Sequence, residues 1–159
     1  MEKQKFTEVE RKWILKNTPN LIPDETINMI QYYAEGDMRY RRESSSKKKE
    51  ESFYRMKKTS IGVGASEEEV EKIDLKEFWE VTQKNPYMIR KKRFVYNLEP
   101  HKIEIDVFQN MSLVLMEIEV NSLEEELQIP EDISKYIIKE VTGDPHFTNK
   151  HLSGYTNQL

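Results

Sequence analysis

Polar and apolar residues alternate with a period of two along much of the chain. Residues 6–15 set Glu8, Glu10 and Lys12 on one side and Val9 on the other, the pattern of a half-buried strand. The alternation returns at 38–42, 53–58, 67–73, 88–96, 102–108 and, with its approach, 112–120. Gln31-Tyr32-Tyr33 reads as a strand that makes a hairpin with 38–42 around the turn Glu35-Gly36-Asp37. Asn17-Thr18-Pro19-Asn20, Glu99-Pro100-His101 and Gln109-Asn110 supply further turns. Residues 75–81 switch to helical spacing behind Asp74 as a cap, and Pro86 ends that helix. Short helices are also expected over 23–30, from the capping-box pattern Ser122-Leu123-Glu124-Glu125, and over 132–142, with a last turn in 148–155. Seven or eight strands in antiparallel hairpins with a few short helices make a mainly β (α+β) chain, arranged as a closed barrel or a sandwich.

Composition narrows the class. The chain has 159 residues, enough for one core, and reads as a single domain over 1–159. It has no cysteine, which excludes disulfide frameworks, thiolate metal sites and cysteine nucleophiles. No apolar run approaches the roughly 20 residues of a membrane helix, and the first residues are charged rather than apolar, so a cytoplasmic protein without a membrane partner is expected. Residues 44–51 (SSSKKKEE) have no apolar face and are expected to form a flexible connection. Ile61-Gly62-Val63-Gly64-Ala65 lacks the spacing and the Lys-Ser/Thr ending of a phosphate loop and reads as a hairpin tip.

Charge changes the picture most. Charged residues make up 34% of the chain, yet the net charge is only −4, which argues against a nucleic-acid partner. The charges fall on single strand faces: Glu8, Glu10 and Lys12; Arg39 and Arg41; Arg55 and Lys57; Glu69 and Glu71; Lys91 and Arg93; Glu104 and Asp106; Glu117 and Glu119. Two arrangements satisfy this pattern. The charged faces can point to water, as antiparallel sheets allow. Alternatively the sheet closes and the charges line a lumen, where bases would neutralise a polyanion and paired carboxylates would hold a hard divalent cation. Only the second arrangement has chemistry, of the kind that phosphoryl transfer needs.

Glu8-Val9-Glu10-Arg11-Lys12 matches the ExExK signature of the CYTH superfamily, the triphosphate tunnel metalloenzymes. The later segments follow the same family order: Arg39-Tyr40-Arg41, Tyr54-Arg55-Met56-Lys57, Glu69-Val70-Glu71, Lys91-Lys92-Arg93, 103–108 and 116–120. Glu140-Val141-Thr142-Gly143-Asp144-Pro145, followed by Phe147, Asn149 and Leu152, resembles the ending of the bacterial branch. The resemblance covers roughly residues 5–152. It implies a closed antiparallel eight-stranded β-barrel tunnel with short flanking helices. It also implies hydrolysis of a triphosphate with Mg²⁺ or Mn²⁺, and it admits a homodimer. By position, Lys12, Arg39, Arg41, Lys57, Lys91 and Arg93 would bind the phosphates. Glu8, Glu10, Asp106, Glu117 and Glu119 would hold the metal, and Glu8, Glu10, Lys12, Glu117 and Glu119 would form the catalytic set. The substrates open to such a site are tripolyphosphate, ATP, thiamine triphosphate and an RNA 5′-triphosphate. Inorganic tripolyphosphate is favoured; class IV adenylyl cyclase activity and a non-catalytic polyphosphate or nucleotide binder are the alternatives. Lys5-Phe6 stands where the cyclase branch carries His-Phe, and His146 stands where relatives often carry Arg.

Overall fold

The computed structural model describes residues 3–155, so the two ends of the expected 1–159 domain lie outside the described residues. The elements are β1 (Lys3–Leu15), β2 (Glu25–Ala34), β3 (Met38–Ser45), β4 (Ser52–Gly62), β5 (Ala65–Ile73), α1 (Leu75–Thr82), β6 (Met88–Leu98), β7 (His101–Phe108) and β8 (Val114–Glu119). They are followed by α2 (Glu131–Ser134), β9 (Ile137–Glu140), a 3₁₀ turn (Pro145–Phe147) and α3 (Asn149–Leu152). The strand order is β5-β4-β3-β2-β6-β7-β8-β1-β9, with an extra β5–β1 pairing that closes eight antiparallel strands into a barrel.

β1 makes the closure. Its first half, Lys3 to Val9, pairs with β5, and its second half, Glu10 to Leu15, pairs with β8. Where β5 ends, the edge of β1 is taken over by β9, against Trp13 to Leu15. This explains why the helix expected over 132–142 is instead the short α2 followed by a strand. Unpaired backbone on a buried β1 would be costly, and β9 satisfies it. The helix expected over 23–30 is likewise β2, hydrogen-bonded to β3 on one side and β6 on the other. Its β-branched and aromatic residues suit a pleated surface better than the local cap suggests. The 122–125 pattern forms a turn in which Glu125 reaches back to the Asn121 N–H at 2.8 Å. The helix expected at 75–81 is present: Asp74 Oδ1 accepts from the Glu77 N–H at 2.8 Å, and Phe78 is buried beside the rings of Tyr32 and Phe53.

Two apolar clusters hold the barrel. One lies on its outer surface, where Trp13, Leu15, Ile103, Ile105, Met116 and Ile118 are covered by Leu127, Ile129, Ile133 and Tyr136. The other fills one end of the lumen, where Ile14, Tyr33, Ile89, Phe108 and Leu115 meet Phe147, Leu152 and Tyr155 of the C-terminal segment. β3 extends to Ser45, and Arg42 holds Glu51 across the 46–51 connection at 2.8 Å. Among the described residues no helix is long and apolar enough to cross a membrane.

Candidate functional site in the barrel lumen

Residues paired across antiparallel strands share a face, so the register identifies what points inward. From β1 round to β7, Lys12 faces Glu117, which faces Glu104. Asp106 faces Arg93, and Arg93 and Lys91 face Ile27 and Met29 of β2. Gln31 and Tyr33 then face Arg41 and Arg39, which face Tyr54 and Met56 of β4. Lys58 faces Glu68, and Glu8 faces Ser66 to complete the circuit. Glu8, Glu10, Lys12, Arg39, Arg41, Lys91, Arg93, Asp106 and Glu117 are therefore on one continuous inner face, with the exposed Glu119 opposite Glu10 at its margin.

Lys57 does not belong to this face. Lys57, expected at the substrate, pairs with Met38 and Glu69 on the outside and is exposed, whereas its neighbour Lys58 lies on the inner face. A step of one residue reverses a strand's faces, and the most charged-looking face of β4 is the outer one. The same applies to β5: Glu69 and Glu71 point out, and Glu68 points in.

The inner charges are organised as pairs. Lys91 is wholly buried, with its Nζ 2.7 Å from Asp106 and 3.4 Å from Asn149 Oδ1. Arg93 grips both oxygens of Asp106, at 2.7 and 3.0 Å, and reaches Glu104 at 3.1 Å. Burial opposes ionisation of Asp106, but Arg93 and Lys91 outweigh it and hold the carboxyl below its usual range. Burial lowers Lys91 to about 8 in spite of Asp106. Asp106 is thus occupied by two cations of the protein itself. Lys12 Nζ lies 3.6 Å from Glu117 and donates to the Phe147 carbonyl at 3.0 Å, while Lys58 Nζ lies 3.4 Å from Glu10.

Carboxylates meet on the β1 side. Burial first, then hydrogen bonds with Glu10 and Glu68, push the Glu8 carboxyl up to about 10. Burial and the charge of Glu117 raise Glu10 as well. Glu117 is the opposite case: burial opposes its ionisation, but Lys12, Arg93 and Lys91 hold it well below the usual range. The oxygen donors of Glu8, Glu10 and Glu117 fit a hard divalent cation. Among the described residues, no three acidic or histidine side chains stand at metal-binding spacing, so a cation would have to draw the carboxylates together.

A cavity of about 720 Å³ opens onto this face, lined by Glu10, Lys12, Arg39, Lys58, Asn149 and Lys150 among others. Its outer wall is the segment after β9, tied to β1 by the Val141 N–H to the Lys12 carbonyl at 2.8 Å and by the Lys12 N–H to Thr142 Oγ1 at 2.9 Å. Gly143 lets the same segment pass close to the β4–β5 turn, since a Cβ there would fall 2.8 Å from Val63.

The barrel is similar in fold to solved structures of low sequence identity. The inorganic triphosphatase NE1496 superposes with a TM-score of 0.60 at 21% identity, covering 92% of this chain and 97% of that one. PH1819 from Pyrococcus horikoshii OT3 gives 0.59 at 18%, covering 96% and 99%. A conserved hypothetical protein from Pyrococcus furiosus gives 0.51 at 23%, covering 81% and 85%. The chain shares the fold of the inorganic triphosphatase NE1496. No protein-family model and no curated protein matches the sequence.

Several residues inside the tunnel have no counterpart in the sequence reading. Lys58 and Glu68 were hidden because each sits in a run of like charges, Lys57-Lys58 and Glu67-Glu68-Glu69, where parity is ambiguous. Gln31 and Asn149 are uncharged and gave no signal beyond their place in the family-like segments.

Proposed function

We propose that the protein hydrolyses a triphosphate, preferentially inorganic tripolyphosphate, with Mg²⁺ or Mn²⁺. The observation that supports this most is the meeting of two charge sets on one inner face. Glu10, Lys12, Arg39 and Lys58 line a cavity of about 720 Å³, and Glu8 and Glu117 lie beside Glu10 on the same inner face. Lys12, Arg39, Arg41, Lys58 and Arg93 neutralise the phosphate oxygens, and their fixed positions supply the charge stabilisation that phosphoryl transfer depends on. Glu8, Glu10 and Glu117 hold the cation, with Glu119 at the margin. Bound there, a divalent cation would neutralise phosphate charge and lower the pKa of an attacking water. Asp106 serves as the counter-ion that keeps Lys91 and Arg93 in place. Lys91, enclosed by Asp106 and Asn149, contributes positive potential from behind.

No aromatic side chain lines the cavity among the described residues, which favours an inorganic chain over a nucleotide needing a stacking surface. One tunnel domain, a cytoplasmic setting and a homodimer are consistent with this reading. The test is phosphate release from tripolyphosphate, thiamine triphosphate and ATP, with and without each cation. Cation-dependent release, fastest from tripolyphosphate, is expected. Pyrophosphate and cyclic AMP from ATP would replace the hydrolase with a cyclase, and binding without release would leave a polyphosphate binder.

A further inference from the structure

Gln31 and Tyr33 lie on the inner face of β2, at 0% and 2% exposure, and have no task in the reading above. A buried amide is costly unless both its ends are satisfied. A guanidinium only donates. The Gln31 carbonyl oxygen therefore faces Arg41 and accepts from its Nε at 2.7 Å. The amide nitrogen turns the other way and donates to the Tyr33 hydroxyl. The ring of Tyr33 in turn carries the Arg39 guanidinium 5.0 Å from its centroid. Tyr33 is itself anchored: its N–H donates to the Tyr87 carbonyl and its carbonyl accepts from Asn85 Nδ2, each at 2.9 Å.

One chain of contacts thus supports both arginines of β3, whose own compensation is thin. Among the described residues, the one carboxylate paired with Arg41 is Glu43, at 3.7 Å, and the buried Nε of Arg39 has no hydrogen-bond partner. Tying down one edge of a guanidinium leaves its terminal amines directed and removes the entropy cost of ordering them on binding.

We infer that Gln31, braced by Tyr33, is a positioning residue that aims the terminal amines of Arg41 at the anionic substrate. This rests on the reading of the lumen as a triphosphate site. Tripolyphosphate binding to the full chain, measured by calorimetry, separates the two. Gln31→Met keeps the length of the side chain but cannot hold Nε. It should raise Kd and KM about tenfold or more, the usual weight of a hydrogen bond to a charged group. In an Arg41→Lys background, which has no such N–H to hold, the same change should add less than about twofold, because coupled residues are not additive. Tyr33→Phe removes only the brace, and should raise Kd about threefold even if Gln31→Met folds poorly. Equal losses in both backgrounds, or an unchanged Kd in Gln31→Met and Tyr33→Phe, would overturn the inference while leaving the triphosphate reading intact. A wild-type protein that binds no tripolyphosphate would overturn the triphosphate reading and this inference together.

Discussion

The two faces of the β4–β5 hairpin carry the same kinds of charge to opposite ends. Outside, Arg55 contacts Glu71 and Glu77, and Lys57 faces Glu69. These groups stay in contact with water, where ion pairs contribute little. Inside, Lys58 faces Glu68 and Glu10, and across the lumen Lys91, Arg93 and Asp106 are almost wholly removed from solvent. There, a charge without its partner costs several kcal/mol. Alternation of charged and apolar residues is therefore the same signal on both faces. What separates them is the closure of the barrel, which turns one face into an interior.

The comparison can be broken most severely at Asp106. Asp106→Ala leaves Lys91 and Arg93 buried without a counter-charge and should destabilise the protein by about 3–5 kcal/mol in chemical denaturation. The Asp106 carboxyl sits below its ordinary range when folded, so its contribution is complete above that range and is lost as pH falls through the folded value. Wild-type stability should therefore decline steeply on acidification, and the difference between wild type and Asp106→Ala should shrink with it.

Glu10→Gln is the next step and has a different signature. It takes one carboxylate out of a like-charged cluster, so the unfolding midpoint should hold or rise. The cation concentration needed for half-maximal turnover should increase by about a hundredfold, since partners outside the immediate ligand set already cost tenfold to a hundredfold. The smallest effect is expected outside: Arg55→Met should leave tripolyphosphate turnover unchanged and shift the melting midpoint only slightly.

The strand content and most of the inner face were legible in the sequence, because Glu8, Glu10 and Lys12 alternate unambiguously with Val9 and Trp13; that β1 closes the barrel was not. β4 misled for a physical reason: its inner face, Tyr54, Met56 and Lys58, looks more apolar than its outer face, Arg55 and Lys57. The pairings of Arg39 with Met56 and of Lys58 with Glu68 show which side is interior. The first part of β2, up to Ile30, and β9 were read as helical because local caps and spacing cannot report a neighbouring strand that needs a partner, whereas the 31–33 end of β2 was read correctly as one arm of a hairpin. Gln31 was silent because an uncharged amide gains meaning only from the two side chains it joins.

The central claim, that the interior and not the charged-looking exterior does the chemistry, is tested most directly by one comparison of adjacent lysines. Rates of phosphate release from tripolyphosphate should fall about tenfold to a hundredfold in Lys58→Met, the loss of one charged contact, and stay at the wild-type value in Lys57→Met. A loss confined to Lys57→Met, with Lys58→Met fully active, would contradict the account.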